Sequence, residues 1–130
     1  MMSSQQTLQQ RRAAMAWKQV EDTDKRDYKN KYGSLVRGLP AMIQTDGLGQ
    51  TLAFLLAKAK GNHNSEHHAA YDHLSAWLGA NEQFGFGKDA FVWLLKQDSD
   101  TYRQAAAEAQ AYLGWLKRFV EAKGWKADEE

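Results

Sequence analysis

Between Tyr102 and Val120, apolar side chains stand at Tyr102, Ala105, Ala106, Ala109, Tyr112, Leu113, Leu116, Phe119 and Val120. This three-then-four spacing places them on one face of a helix and cannot be laid on the alternating faces of a strand. The helix is expected to run to about residue 123 and to be the longest element, ~35 Å at 1.5 Å per residue. Asp98, Ser99, Asp100 and Thr101 offer caps ahead of it, with Thr101-x-x-Gln104 in capping-box register. Elsewhere the chain has one proline, ten glycines and no alternating run of β-branched residues, so the punctuation of a sheet protein is missing. The expected fold is all-α, a compact bundle of about six helices with a kinked second helix and a long C-terminal helix.

The other helices follow from caps and breakers. The first is expected over 3–21, because Ser3-x-x-Gln6 fits a capping box and Ala13, Ala16, Trp17 and Val20 share a face. The second spans 28–45, with an interruption at Gly38-Leu39-Pro40, where the proline ring removes a backbone donor and biases Leu39 away from helical torsions. Gly47 fits a left-handed helix end with Leu48 as its apolar contact, so a third helix over 48–60 follows at a tight corner. That helix is apolar nearly all round and belongs in the core. A fourth helix over 65–78 buries Ala70, Leu74, Trp77 and Leu78, residues 79–87 form a loop, and a short fifth helix covers 88–96. Trp17, Phe54, Trp77, Trp93 and Phe119 fall in core registers, whereas Tyr28, Tyr32, Phe84, Phe86 and Trp125 stand at edges or in loops.

A length of 130 residues fits a single domain, expected over 1–124, with 125–130 as a frayed acidic tail. There is no cysteine, which excludes thiol catalysis, cysteine-held metals and disulfides. No basic-then-apolar leader opens the sequence, and the longest apolar run, 52–57, is far short of the ~20 residues of a membrane span. A soluble, cytoplasmic chain is therefore expected. The net charge of +1 hides a gradient: residues 1–60 carry ten Lys/Arg against five Asp/Glu, and residues 61–100 carry two against six.

Catalytic constellations fare poorly. His63-Asn-Ser-Glu66-His67 fits the H-x-x-E-H pattern of one metallopeptidase class, which would make His63, Glu66 and His67 a metal-dependent hydrolase site. Those ligands must share the face of a formed helix, yet Gly61 and Asn62 place His63 in a turn. The acids at 22, 24 and 27 sit in a charged turn, and Asp98 and Asp100 serve as caps. No catalytic residue, metal site or cofactor is assigned. The basic residues are more informative. Lys25, Arg26, Lys29, Lys31 and Arg37 stand with one acid, Asp27, within thirteen residues, and Arg103, Lys117 and Arg118 project opposite the apolar stripe of the last helix. Ala107 and Gly114 between them leave room for a polyphosphate backbone, although each cation taken singly also suits an ordinary solvated face.

The stretches KYGSLVRGLPAMIQTDGLGQTLAFLLAK, residues 31–58, and YRQAAAEAQAYLGWLKRF, residues 102–119, resemble the small α-helical subunit of type III-B CRISPR effector complexes, the Cmr complex. Pro40, the Gly47-Leu48-Gly49 corner, residues 51–54, Tyr102-Arg103 and Trp115-Leu116-Lys117-Arg118-Phe119 carry the likeness; the histidine-rich middle carries none of it. The resemblance implies a non-catalytic subunit present in several copies, stacked as an inner filament beside the guide-holding backbone subunits. Its implied partners are those subunits, further copies of itself, guide RNA and target RNA, with no membrane and no small-molecule substrate. Target sequence would be read by base pairing with the guide, leaving protein to contact backbone and shape. Carried onto this sequence, Lys31, Arg37, Lys58, Arg103, Lys117 and Arg118 are the candidate RNA or partner contacts. Tyr32, Pro40, Gly47, Leu52, Phe54 and Trp115 would shape the fold. A purely structural helical adaptor without RNA contact is the competing reading.

Overall fold

The computed structural model describes residues 6–81, 84–85 and 89–127. Among these the chain forms six helices and no strand: α1 (Leu8–Thr23), α2 (Lys29–Asp46), α3 (Leu48–Ala59), α4 (Glu66–Ala80), α5 (Ala90–Leu94) and α6 (Ser99–Lys123). The all-helical bundle with a long C-terminal helix is thus the observed fold. α6 lies between α1 and α2, and α4 packs behind α2 with α3 and α5 against it. Among the described residues no helix is long and apolar enough to cross a membrane.

The periodicity of α6 is realised in its packing. Ala105, Ala109, Tyr112, Leu113, Leu116 and Val120 are buried against Ala16 and Val20 of α1, Tyr32, Val36 and Leu39 of α2, and Leu74, Trp77 and Leu78 of α4, all in one apolar cluster. Tyr32 and Tyr112 are the largest side chains fully enclosed there. Each large apolar side chain so buried stabilises the fold by about 1.5–3 kcal/mol.

Helix ends differ from expectation where a better cap lies nearby. α1 opens at Thr7, whose hydroxyl accepts from Gln10 N (3.0 Å) while Gln10 Oε1 accepts from Thr7 N (2.8 Å). This is a capping box one turn later than the one expected at Ser3, which lies outside the described residues. α6 opens at Asp98, the first of the four caps the sequence offers, with Asp98 Oδ1 accepting from Thr101 N at 2.8 Å. α4 starts as expected behind Ser65, and α5 is shorter than expected, with Lys88 outside the described residues. Asp89 and Phe91 at its start both bond the Tyr71 hydroxyl of α4 (2.5 and 3.0 Å), which anchors this short helix.

α2 is one helix through Gly38, Leu39 and Pro40, where a kink or break is expected from the sequence, so the chain does not break there. The proline forfeits only the bond to the Val36 carbonyl. Val36 and Leu39 are wholly buried, and Gln110 Nε2 of α6 donates to Pro40 O at 2.9 Å, so tertiary contacts hold the helix across the defect. The corner after it is the expected one, with a different torsion. Gly47 has φ 91° and ψ 162°, an extended mirror-image conformation that only glycine adopts readily. It ends one helix through its N–H to Ile43 O (2.8 Å) and starts the next through its carbonyl, which accepts from Thr51 N (3.1 Å).

The chain after α6 does not fray where expected. Gly124 is left-handed (φ 72°), Trp125 N donates to Val120 O at 3.1 Å, and Trp125 is buried with its carbonyl and Cβ against Gly33 of α2 and its indole edge-on to Tyr32 (6.4 Å). These are the bonds of a Schellman cap, with Trp125 as its apolar contact. Ala127 N then donates to Ser34 Oγ at 2.8 Å. The acids Asp128, Glu129 and Glu130 lie outside the described residues.

Several aromatic assignments are corrected. Trp17, expected in the core, is 40% exposed, and Phe54, Trp93 and Phe119 are half-buried. Tyr32, Phe84 and Trp125, expected at edges, are buried; Phe86 lies outside the described residues. The corrected residues stand next to helix ends or on helix margins, where the neighbour that arrives from elsewhere in the chain decides burial.

Candidate nucleic-acid interface

α6 runs antiparallel to α2: Gly49 N at the start of α3 donates to Tyr102 Oη (2.8 Å), Gln110 Nε2 donates to Pro40 O of α2 (2.9 Å), and Ala127 N, just past α6, donates to Ser34 Oγ of α2 (2.8 Å). Interpolating between these points puts Arg37 and Lys117, both half-buried, within about one turn of each other along the seam. The Nε of Arg37 is enclosed with no hydrogen-bond partner. Arg118 stands next to Lys117 on the outward side of α6, its side chain 80% exposed, with Glu121 Oε1 3.4 Å away. Arg37 and Lys117 thus stand on the α2 side of α6, whereas Arg118, one residue further on, faces the α1 side.

The other three do not join them. Arg103 lies roughly 20 Å back along α6, at 1.5 Å per residue, and is paired with Asp100 one turn earlier. Lys31 is exposed half a rotation around α2 from Pro40, and Lys58 is exposed near the end of α3, close enough to His67 to disfavour its protonation.

The opposite flank of α6 forms a groove with α1, about 450 Å³, lined by Gln9, Arg12, Ala111, Gly114, Trp115 and Arg118. Its wall is fixed by Arg12, which donates to Glu108 through Nε (2.6 Å) and Nη2 (2.8 Å). Trp77 Nε1 adds a third bond to the same carboxylate at 2.8 Å. Burial alone would raise the carboxyl of Glu108; the bonds from Arg12 and Trp77 outweigh it and hold the group below its ordinary range. Trp115 Nε1 donates to Gln9 Oε1 at 3.0 Å, and its ring leans on Phe119 (5.7 Å), which in turn meets Trp17 edge-on (5.0 Å). The ammonium of Lys123 lies 5.1 Å over the Trp17 ring. Trp115, expected only to shape the fold, therefore lines an open groove.

A family model described as CRISPR-associated protein (Cas_Cmr5) matches residues 8–123, from the first residue of α1 to the last of α6. The chain belongs to the Cmr5 family. This is the small helical subunit of the type III-B Cmr complex, as residues 31–58 and 102–119 implied. The crystal structure of a CRISPR-associated Cmr5 family protein from Thermus thermophilus has the same fold, with a TM-score of 0.75 and 23% identity over 94% of this chain and 100% of that one.

In this Cmr5 family member each histidine of the middle segment has a neighbour of its own. His63 lies in the turn before α4, its ring 4.1 Å from that of His68, while His67 packs on Phe54 (5.8 Å) and has Glu66 at 3.4 Å. Among the described residues no three His, Cys, Asp or Glu side chains are grouped to hold a metal ion. His73 is held in its neutral form by burial, which lowers its pKa to about 4. Its Nδ1 lies 2.6 Å from the hydroxyl of Tyr32, whose own pKa burial raises, so the phenol donates and the imidazole accepts. The chain also exposes an apolar groove of about 320 Å³, lined by Gly49, Gln50, Ala53, Phe91, Leu95 and Tyr102, where Leu95 is 67% exposed. Reasoning from the sequence missed both grooves, because each is made by helices distant in sequence. The signal for the first was the pair Trp115 and Arg118, which stand three residues apart and share a helix face.

Proposed function

We propose that this chain is a non-catalytic subunit of a type III-B RNA-guided, RNA-targeting complex in antiviral defence. It stacks with copies of itself beside the guide-holding backbone subunit and meets guide or target RNA through α6. The observation that carries this reading is the positive charge of Lys117 and Arg118, adjacent in the C-terminal half of α6, with Arg37 on the neighbouring α2. Sequence is read there by base pairing, so the protein supplies positive charge to phosphates and no base code. Lys31, Lys58 and Arg103, scattered over other faces, and the apolar groove around Leu95 are assigned to protein neighbours.

Three cations facing single-stranded RNA release few counterions, so binding by the free chain is weak, with a salt slope of about −2. Neutralising Lys117 and Arg118 together is expected to flatten that slope by about 1.4. In the assembled complex, crosslinking is expected to yield RNA adducts on α6, and Leu95→Glu to weaken incorporation without unfolding the chain. RNA binding that persists at high salt, or an assembled complex giving protein adducts but no RNA adducts on α6, would leave the adaptor reading in its place.

A further inference from the structure

We infer that the groove between α1 and α6 is a nucleotide slot, in which a base of single-stranded RNA stacks on the indole of Trp115 while a phosphate engages Arg118. This rests on the RNA-facing assignment above and adds a base contact to a surface argued there only from charge.

The indole of Trp115 is set in place before any ligand arrives. Its N–H is committed to Gln9 Oε1 (3.0 Å) and one side of the ring leans on Phe119 (5.7 Å). The floor beside it is Ala111 and Gly114, and a Cβ added at Gly114 would meet nothing within 4 Å, so the groove that Trp115 lines is open at that point. Two other indoles lack this access, and the exposed Trp17 already holds a cation. Trp17 carries Lys123 over its ring at 5.1 Å, Trp77 is stacked on Tyr112 at 5.1 Å, and Trp125 is buried.

The two arginines of the groove play different parts. Arg12 is committed to Glu108 by two short hydrogen bonds, which neutralise it and make it wall. Arg118 has a single long contact, 3.4 Å to Glu121, between exposed side chains. Such an exposed pair adds little to stability and is readily exchanged for a phosphate. Trp115 and Arg118 stand three residues apart on one helix face, so a ring and a cation are presented side by side. A flat π-face, an exchangeable cation and about 450 Å³ of space match a flat, anionic ligand of nucleotide size.

The test is an anisotropy titration of the full chain at low salt with a labelled ten-nucleotide oligoadenylate and with an abasic oligomer of equal length and charge. The wild type is expected to prefer the oligoadenylate by about fivefold or more, the effect of one stacked base. Trp115→Ala should abolish that preference by losing affinity for the oligoadenylate alone, and Trp115→Phe should keep part of it. Arg118→Glu should weaken both oligomers alike. Gly114→Leu, at an exposed helix position, fills the slot without touching the core and should also remove the preference, which covers the case in which Trp115→Ala misfolds. Equal affinity of the wild type for the two oligomers overturns the base slot and leaves the charge-based RNA assignment standing. Absence of binding to either overturns both. Binding of a labelled acidic, phenylalanine-containing peptide that is lost in Trp115→Ala, with no binding of the oligoadenylate, would make the groove a protein site and also overturn the inference.

Discussion

Arg12 and Glu108, 96 residues apart, form a two-point ion pair that ties α1 to α6, and the indole N–H of Trp77 brings α4 to the same carboxylate. The two charged side chains are only 14% and 10% exposed. Removing one leaves the other desolvated without a counter-charge, which costs more than an exposed pair ever contributes. Arg12→Ala is expected to lower unfolding free energy by about 2–3 kcal/mol in urea denaturation. The folded carboxyl of Glu108 is depressed, so its contribution is present above the ordinary carboxylate range and is lost as the pH falls through the lowered value. Glu108→Gln should therefore flatten the acid limb of the stability curve; an unchanged limb would show that the pair adds nothing.

His73 makes a separate prediction at milder pH. Its folded pKa is about 4 against an ordinary 6.5, so between those values the unfolded chain binds the extra proton and folding loses stability as the pH falls. The contribution is intact above pH 6.5 and amounts to a loss of about 2 kcal/mol by pH 5. His73→Gln should remove most of that slope. Denaturation midpoints at pH 7 and pH 5 give the comparison, and a wild type with the same midpoint at both would contradict it.

Gly33 and Trp125 make the third. A Cβ at Gly33 would lie 2.4 Å from the backbone oxygen of Trp125, so Gly33→Ala must displace the docked segment. Ending the chain after Gly124 removes the same buried indole, and both changes are expected to cost about 2–3 kcal/mol. Limited proteolysis should cleave after the exposed Lys126 faster in Gly33→Ala, because the segment is no longer docked; a wild-type digestion rate and midpoint would argue that the segment is peripheral.

What was legible in the sequence was local. The spacing from Tyr102 to Val120, the Gly47 corner and the Ser65 cap each depend on residues within one or two turns, and the helices they imply are present. Arg37, Lys117 and Arg118 are visible as charge, but that Arg37 lies alongside α6 needed the antiparallel register of α2 and α6. The tail after α6 was misjudged because its acids suggested solvent. The Gly124-Trp125 pair carried the opposite signal, a glycine helix end followed by an apolar anchor.

The sequence by itself determined the helical class, the long last helix, the absence of any cysteine chemistry and, through residues 31–58 and 102–119, the family. Tertiary structure decided which aromatics are buried, that Pro40 leaves α2 unbroken, and that Trp115 and Arg118 line a groove. The physical reason is range: periodicity and capping act between neighbours in the chain, whereas burial and grooves are set by helices that meet only after the chain has folded.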